Sequence, residues 1–181
     1  MKKIHPLSLV AVFTCLFFSA KAQHSKIQWA SYVVDFSSEY SSLRNPFQRT
    51  AMQALGKPNK LPAYGLTACA WSPSQKNSET NEYLELGFQN PIAIRQVAIA
   101  ENYNAGAIAE VWAYDTQGNK HLLIKKQNII PLKQKGRMFR VILERKTTYK
   151  VNSIRVVLKT DVVKGWNQLD AVGISAYSKP I

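Results

Sequence analysis

The sequence predicts an all-β domain: antiparallel strands in two facing layers, about eight of them, with one short helix near residues 46–55. Three observations carry this. Apolar and polar residues alternate strictly in several segments, turn signals recur about every ten residues, and a helical period appears only once.

The alternation is clearest in three places. In 83–88, Leu84, Leu86 and Phe88 share one face and Glu85 points away. In 138–145, Phe139, Val141 and Leu143 oppose Arg140 and Glu144. In 153–160, Ile154, Val156 and Leu158 oppose Arg155 and Lys159. A period of two with one apolar face is that of a sheet covered on one side. Further strands are expected at 30–36, 92–101, 107–115, 121–126 and 169–176. Many short strands at even spacing indicate a sandwich or a barrel. Asp115-Thr116-Gln117-Gly118-Asn119 reads as a hairpin loop, with glycine at a position needing positive φ.

The helix prediction rests on end signals. Asn45 is placed to cap, Pro46 fits the first helical position, and Gln48 completes a capping box. Phe47, Ala51, Ala54 and Leu55 fall on one helical face, Gly56 suits the left-handed position after the last turn, and Pro58 prevents resumption. Such a helix would plug one end of the sandwich.

The first 22 residues set the expected compartment. Lys2 and Lys3 precede an apolar run over 7–18, and Ala20-Lys21-Ala22 presents small residues where a signal peptidase cuts. Cleavage after Ala22 is expected, leaving a single domain over 23–181. A lipid anchor on Cys15 is the rival reading, but Leu16, Phe17 and Phe18 follow that cysteine, the wrong flank for it. No second stretch is long and apolar enough to span a bilayer, so no transmembrane span is expected. The predicted destination is the periplasm, the outer-membrane periphery or the extracellular space. Cys69 is the only cysteine left, so no intramolecular disulfide can form; between Ala68 and Ala70 it reads as a small buried hydrophobe.

Lys2, Lys3 and Lys21 leave with the leader, so 21 basic side chains remain against 11 acidic ones. The charge is uneven: residues 120–150 hold ten basic residues and one acid, Glu144. That stripe suits an anionic surface, such as lipopolysaccharide, an acidic glycan or an acidic protein face, or else forms a solvated face. No nucleic-acid motif is present, and nucleic acid is not an expected partner. Catalytic chemistry is equally sparse. His24 and His121 lack neighbours at metal-ligand spacing, and no nucleophile elbow, P-loop or dinucleotide glycine pattern occurs. The expectation is a protein that is not an enzyme.

Three loop-like segments combine aromatics with amides: Glu101-Asn102-Tyr103-Asn104-Ala105-Gly106, Lys164-Gly165-Trp166-Asn167-Gln168 and Asn59-Lys60-Leu61-Pro62-Ala63-Tyr64-Gly65. A sugar needs an aromatic face for its C–H side and amides for its hydroxyls. The ligand contacts expected on this logic are Tyr103, Asn104, Trp166, Asn167 and Gln168, with Glu101 orienting its loop. The structural alternative is that Trp166 closes the end of the core and Tyr103 braces a turn. Trp71 reads as core; Trp112 lies on a mixed face, and its exposure is left open. Asp35, Glu101 and Asp170 sit in apolar strands, where a carboxylate must be paired, hydrogen-bonded or bound to a metal. Brought together they would suit calcium; apart, each would accept backbone N–H bonds at a corner.

An ordered set of segments resembles the galactose-binding-like β-sandwich superfamily, the discoidin or coagulation-factor type C fold. Val34-Asp35-Phe36-Ser37-Ser38-Glu39-Tyr40 looks like its opening strand and loop, Ala70-Trp71-Ser72 its T-x-W segment, and Tyr83-Leu84-Glu85-Leu86-Gly87-Phe88 its W-L-x-V-D-L-G strand. Ile94-Arg95-Gln96-Val97-Ala98-Ile99, Ile154-Arg155-Val156-Val157 and Leu169-Asp170-Ala171-Val172-Gly173-Ile174 look like later strands. Gly56-Lys57-Pro58-Asn59, the 101–107 segment and Trp166-Asn167-Gln168-Leu169-Asp170-Ala171-Val172 further resemble a subgroup found beside OmpA-type domains in Gram-negative envelope proteins. A similar module forms the amino-terminal part of a eukaryotic F-box leucine-rich-repeat protein. The resemblance implies a jelly-roll that binds or adheres through loops at one end. Relatives often carry a structural calcium; here Gly56-Lys57-Pro58-Asn59 replaces the D-G, and Asn59, Thr67 and Asp170 are the best-matching remnant. The function expected is glycan binding or adhesion by an exported module. The alternative is docking to an envelope protein through the basic 120–150 face.

Overall fold

The computed structural model describes residues 27–132 and 136–179. The expected leader, its cleavage point and Cys15 lie outside the described residues, as do Lys133 and Lys135 of the basic segment.

Nine strands form two antiparallel sheets in a jelly-roll sandwich. They are β1 (Gln28–Trp29), β2 (Tyr32–Phe36), β3 (Glu82–Ile92), β4 (Gln96–Tyr103), β5 (Ile108–Asp115), β6 (Lys120–Lys125), β7 (Arg137–Ile142), β8 (Val151–Leu158) and β9 (Gln168–Ser175). One sheet runs β1-β9-β4-β7, the other β2-β3-β8-β5-β6. The chain crosses between them at Ala30–Ser31: the Ala30 N–H donates to Val172 of one sheet and the Ser31 N–H to Gly87 of the other.

The alternation built the core. Leu84, Leu86, Phe88, Ile154, Val156 and Leu158 from one sheet meet Val97, Ile99, Leu169, Val172 and Ile174 from the other, all fully buried. Each such side chain contributes roughly 1.5–3 kcal/mol on burial, and that is what holds a sandwich in which Cys69, the only cysteine among the described residues, is free. Trp71 is also fully buried, as expected; its indole N–H donates to the Ser38 carbonyl, and its backbone pairs with Leu169.

Two expectations are corrected. The 46–55 segment is not an α-helix: 46–49 are turns, and only a 3₁₀ turn forms, over Ala51–Ala54. Arg49 stands at φ 57, which breaks the helical run. Its N–H donates to Ala68 and its carbonyl accepts from Ser72, so its backbone serves the neighbouring loop instead. Ala51 and Ala54 are buried, but Phe47, expected beside them, is exposed. The cap comes from a distant residue, since Glu39 accepts the Ala51 N–H at 2.8 Å. Cys69 is exposed rather than buried. Its carbonyl accepts from the Asn59 amide and its N–H donates to Thr67 Oγ1, a surface turn that sends Ala70 and Trp71 inward.

The register places the end of β2, the start of β3, the end of β4, the starts of β5, β7 and β9 and the end of β8 at one end of the sandwich. The basic segment has a different place. It contains β6 and β7, the outer strands of the two sheets. Cations along open edges discourage pairing with other chains. Two of them are neutralised locally, Lys125 by Glu110 and Arg137 by Glu101.

Candidate ligand-binding end

The loops over 37–81, 104–107 and 159–167 gather at the same end, and a network of amides ties them together. Gln168 is buried at the start of β9. Its Oε1 accepts from the Thr67 N–H (2.9 Å) and from Asn102 Nδ2 (3.0 Å); its Nε2 donates to the Thr67 carbonyl (2.8 Å) and to Ser72 Oγ (3.0 Å). Asn102 Nδ2 also donates to the Gly65 carbonyl. Asn104 Nδ2 donates to the carbonyls of Trp166 (2.9 Å) and Lys164 (3.2 Å), and the Asn104 carbonyl accepts from Asn167 Nδ2 (2.9 Å). Gly165 permits this approach. It stands at φ 103, and a Cβ there would lie 2.7 Å from Asn104 Nδ2. Glu101 is buried, accepts the Gly106 N–H at 2.8 Å and pairs with Arg137 Nε, which closes the 101–106 loop.

Glu101, Asn104, Asn167 and Gln168 are therefore brought to one end, and the hydrogen bonds they make hold its loops, while Asn167 Oδ1 is buried without a hydrogen-bond partner among the described residues. Tyr103 and Trp166 remain half-exposed. Trp166 belongs to a second cluster that the sequence did not reveal. Tyr40 meets its ring edge-on, at 5.3 Å and 84°. The Arg49 guanidinium lies 4.5 Å from the Tyr40 centroid and 5.3 Å from that of Trp166, and Lys76 Nζ stands 5.7 Å from Trp166. Among the described residues no carboxylate pairs with Arg49, and its Nε is buried without a hydrogen-bond partner. Positions 40, 49, 76 and 166 share no motif spacing; only the folding of the long 37–81 segment against the 159–167 loop joins them.

The three carboxylates in apolar strands do not converge. Asp35 lies on the outer face of the five-stranded sheet with Arg155 and Tyr83. Asp170 is fully buried and accepts three backbone N–H groups, from Asn59 (3.2 Å), Lys60 (2.9 Å) and Leu61 (3.2 Å). Asn59 is thus beside Asp170, but through its backbone, and Thr67 Oγ1 is occupied by the Cys69 N–H. This donor set does not fit a cation: the positive ends of three amides occupy the carboxylate. Trp112, left open by the sequence, is half-buried, with its indole N–H on Glu110.

The nine antiparallel strands in two facing sheets and the loops gathered at one end define the class by fold: a jelly-roll β-sandwich domain. More particularly, the chain belongs to the family described as Pappalysin-1, SD scarf domain, C-terminal, which matches residues 19–180. F-box/LRR-repeat protein 4 of Bos taurus is 25% identical over 175 residues, covering 81% of this chain and 28% of its own length. The chain thus spans under a third of that relative. Among solved structures, the family 32 carbohydrate-binding module of C. perfringens NanJ, determined in complex with galactose, matches with a TM-score of 0.56 at 16% identity, covering 82% of this chain and 98% of that one. The N-terminal domain of the single-strand break repair protein XRCC1 matches with a TM-score of 0.54 at 14% identity, over 82% and 98%. At such identities the likeness is one of fold, and one fold hosts many functions.

Proposed function

We propose that this chain is an exported, non-catalytic module that binds a glycan carrying negative charge, through the loop end around Trp166. The observation that carries this reading is the Tyr40–Arg49–Trp166–Lys76 cluster, in which a guanidinium without an acidic partner lies against two aromatic rings. Sugar C–H faces stack on such rings, and a carboxylate or sulfate suits the two cations. Tyr103 and Trp166 act as contacts. Glu101, Asn104, Asn167 and Gln168 act as the frame that holds those contacts in place. The solved galactose complex of a similar fold supports a sugar as the ligand; the charge is argued from Arg49 and Lys76 alone.

A glycan array of the purified protein tests this. Uronate-, sialate- or sulfate-bearing glycans are expected to bind, and Trp166→Ala to weaken them at least about tenfold, the ordinary worth of a stacked aromatic anchor, without changing the melting temperature. Equal binding by the variant, or binding of no glycan, would overturn the reading. A docking role remains the second reading, favoured by the basic β6 and β7 edges; co-purification of an envelope protein, lost on charge reversal there, would support it instead. We also propose that the Asp170 clasp works without calcium, so a chelator is expected to leave the melting temperature unchanged.

A further inference from the structure

The outer face of the four-stranded sheet carries a pocket that the Trp166 cluster does not use. Outward positions of β4 and β9 there are small, with Ala98 opposite Gly173 and Ala100 opposite Ala171. Ile27 and Trp29 lie flat against this surface: a Cβ on Gly173 would stand 2.7 Å from Ile27 Cδ1 and 2.8 Å from Trp29 Cε3. Beside them opens a pocket of about 560 Å³, walled by Trp29, Pro58, Leu61, Pro62 and Met138. That volume lies within the roughly 300–1,000 Å³ of small-molecule sites.

The wall chemistry selects a ligand class. Among the described residues no amide, hydroxyl or carboxylate side chain lines the pocket, so a sugar's hydroxyls would find few partners there. Two cations do line it, Lys57 and Arg137. Glu101 takes Arg137 Nε from behind and offsets one of these charges, which leaves the pocket with a net positive charge. Lys57 is exposed and forms no ion pair among the described residues. The pocket wall is also firmly anchored, because Asp170 holds the backbone of 59–61 through three hydrogen bonds.

We infer that this pocket binds a small amphipathic anion, its flat apolar body between Trp29 and Met138 and its single negative charge toward Lys57 and Arg137. Titration calorimetry with naphthalene-2-sulfonate, against the neutral 2-naphthylmethanol, tests it. One sulfonate per chain is expected to bind, about tenfold tighter than the alcohol, as one charge-assisted contact supplies. Lys57→Glu, on an exposed side chain, is expected to remove that preference without altering the melting temperature. Met138→Trp, which fills the pocket, is expected to abolish binding of both probes, while Trp166→Ala leaves them unchanged. Absence of sulfonate binding, equal affinity for the two probes, or undiminished binding by folded Met138→Trp protein would overturn the inference. A loss in Trp166→Ala would do so as well, by placing the probe in the other site.

Discussion

Two aspartates show how the surroundings of one residue decide its role. Asp170 is buried, pairs with no cationic side chain among the described residues, and is satisfied by three backbone amides. Asp170→Ala would leave those amides without their acceptor, and a stability loss of about 3 kcal/mol is expected in urea unfolding. Asp170→Asn keeps one acceptor oxygen and is expected to lose less. Asp115 sits at the turn the sequence marked. Its hydrogen bond from His121, helped by those from Asn119 and Gln117, lowers its pKa from 3.8 to about 2. A carboxylate whose folded pKa lies below its unfolded value stabilises fully above the unfolded value and loses that contribution as pH falls through the folded one. Melting temperatures measured between pH 4 and pH 2 are therefore expected to fall more steeply for the wild-type protein than for Asp115→Asn.

The elements followed the alternation, but the outer face of the five-stranded sheet is not simply solvated. Arg155 on β8 lies 4.1 Å from the Tyr83 ring centroid and 5.4 Å from that of Tyr114. Its Nε donates to Glu85 at 2.8 Å and its Nη2 to Asp35 at 3.0 Å. Ser153 Oγ donates to Glu85 as well. Glu85 points away from the core, as the pattern required, yet it is buried under this lattice. The Tyr83 hydroxyl donates to Asp35, which raises its pKa above the ordinary tyrosine value. Arg155→Met would leave Glu85 without its cation. Because Arg155 is partly exposed, a loss of about 2–3 kcal/mol is expected, below that of a fully buried pair. Pairing Arg155→Met with Glu85→Gln is expected to recover much of it, which a double-mutant cycle in denaturant would show. The failed helix belongs to this scale too. Asn45, Pro46 and Gln48 are sound local signals, but Arg49 contributes its backbone to the loop carrying Ala68 and Ser72, and tertiary hydrogen bonds outweigh a weak propensity.

At the scale of the molecule, the jelly-roll separates two kinds of surface. Loops from both sheets meet at one end and form the Trp166 cluster, while β6 and β7 carry the basic residues along the open edges. All the strands but β1, the inward faces and the buried state of Trp71 were legible in the sequence, because a period of two and apolar runs are local properties that the core only has to accept; the two residues of β1 are too short to show a period. The amide-rich loops were legible as special, but that the amides rather than Tyr103 brace them was not: Gln168 completes its bonds with Thr67, Ser72 and Asn102, whose distance in sequence hides them. By itself the sequence determined the all-β class and the excess of positive charge. Only the tertiary structure decided that Arg49 lies against Tyr40 and Trp166, that Cys69 faces outward and that a pocket opens beside Trp29. Those facts depend on where distant loops touch, and no local pattern encodes a contact between residues the chain places far apart.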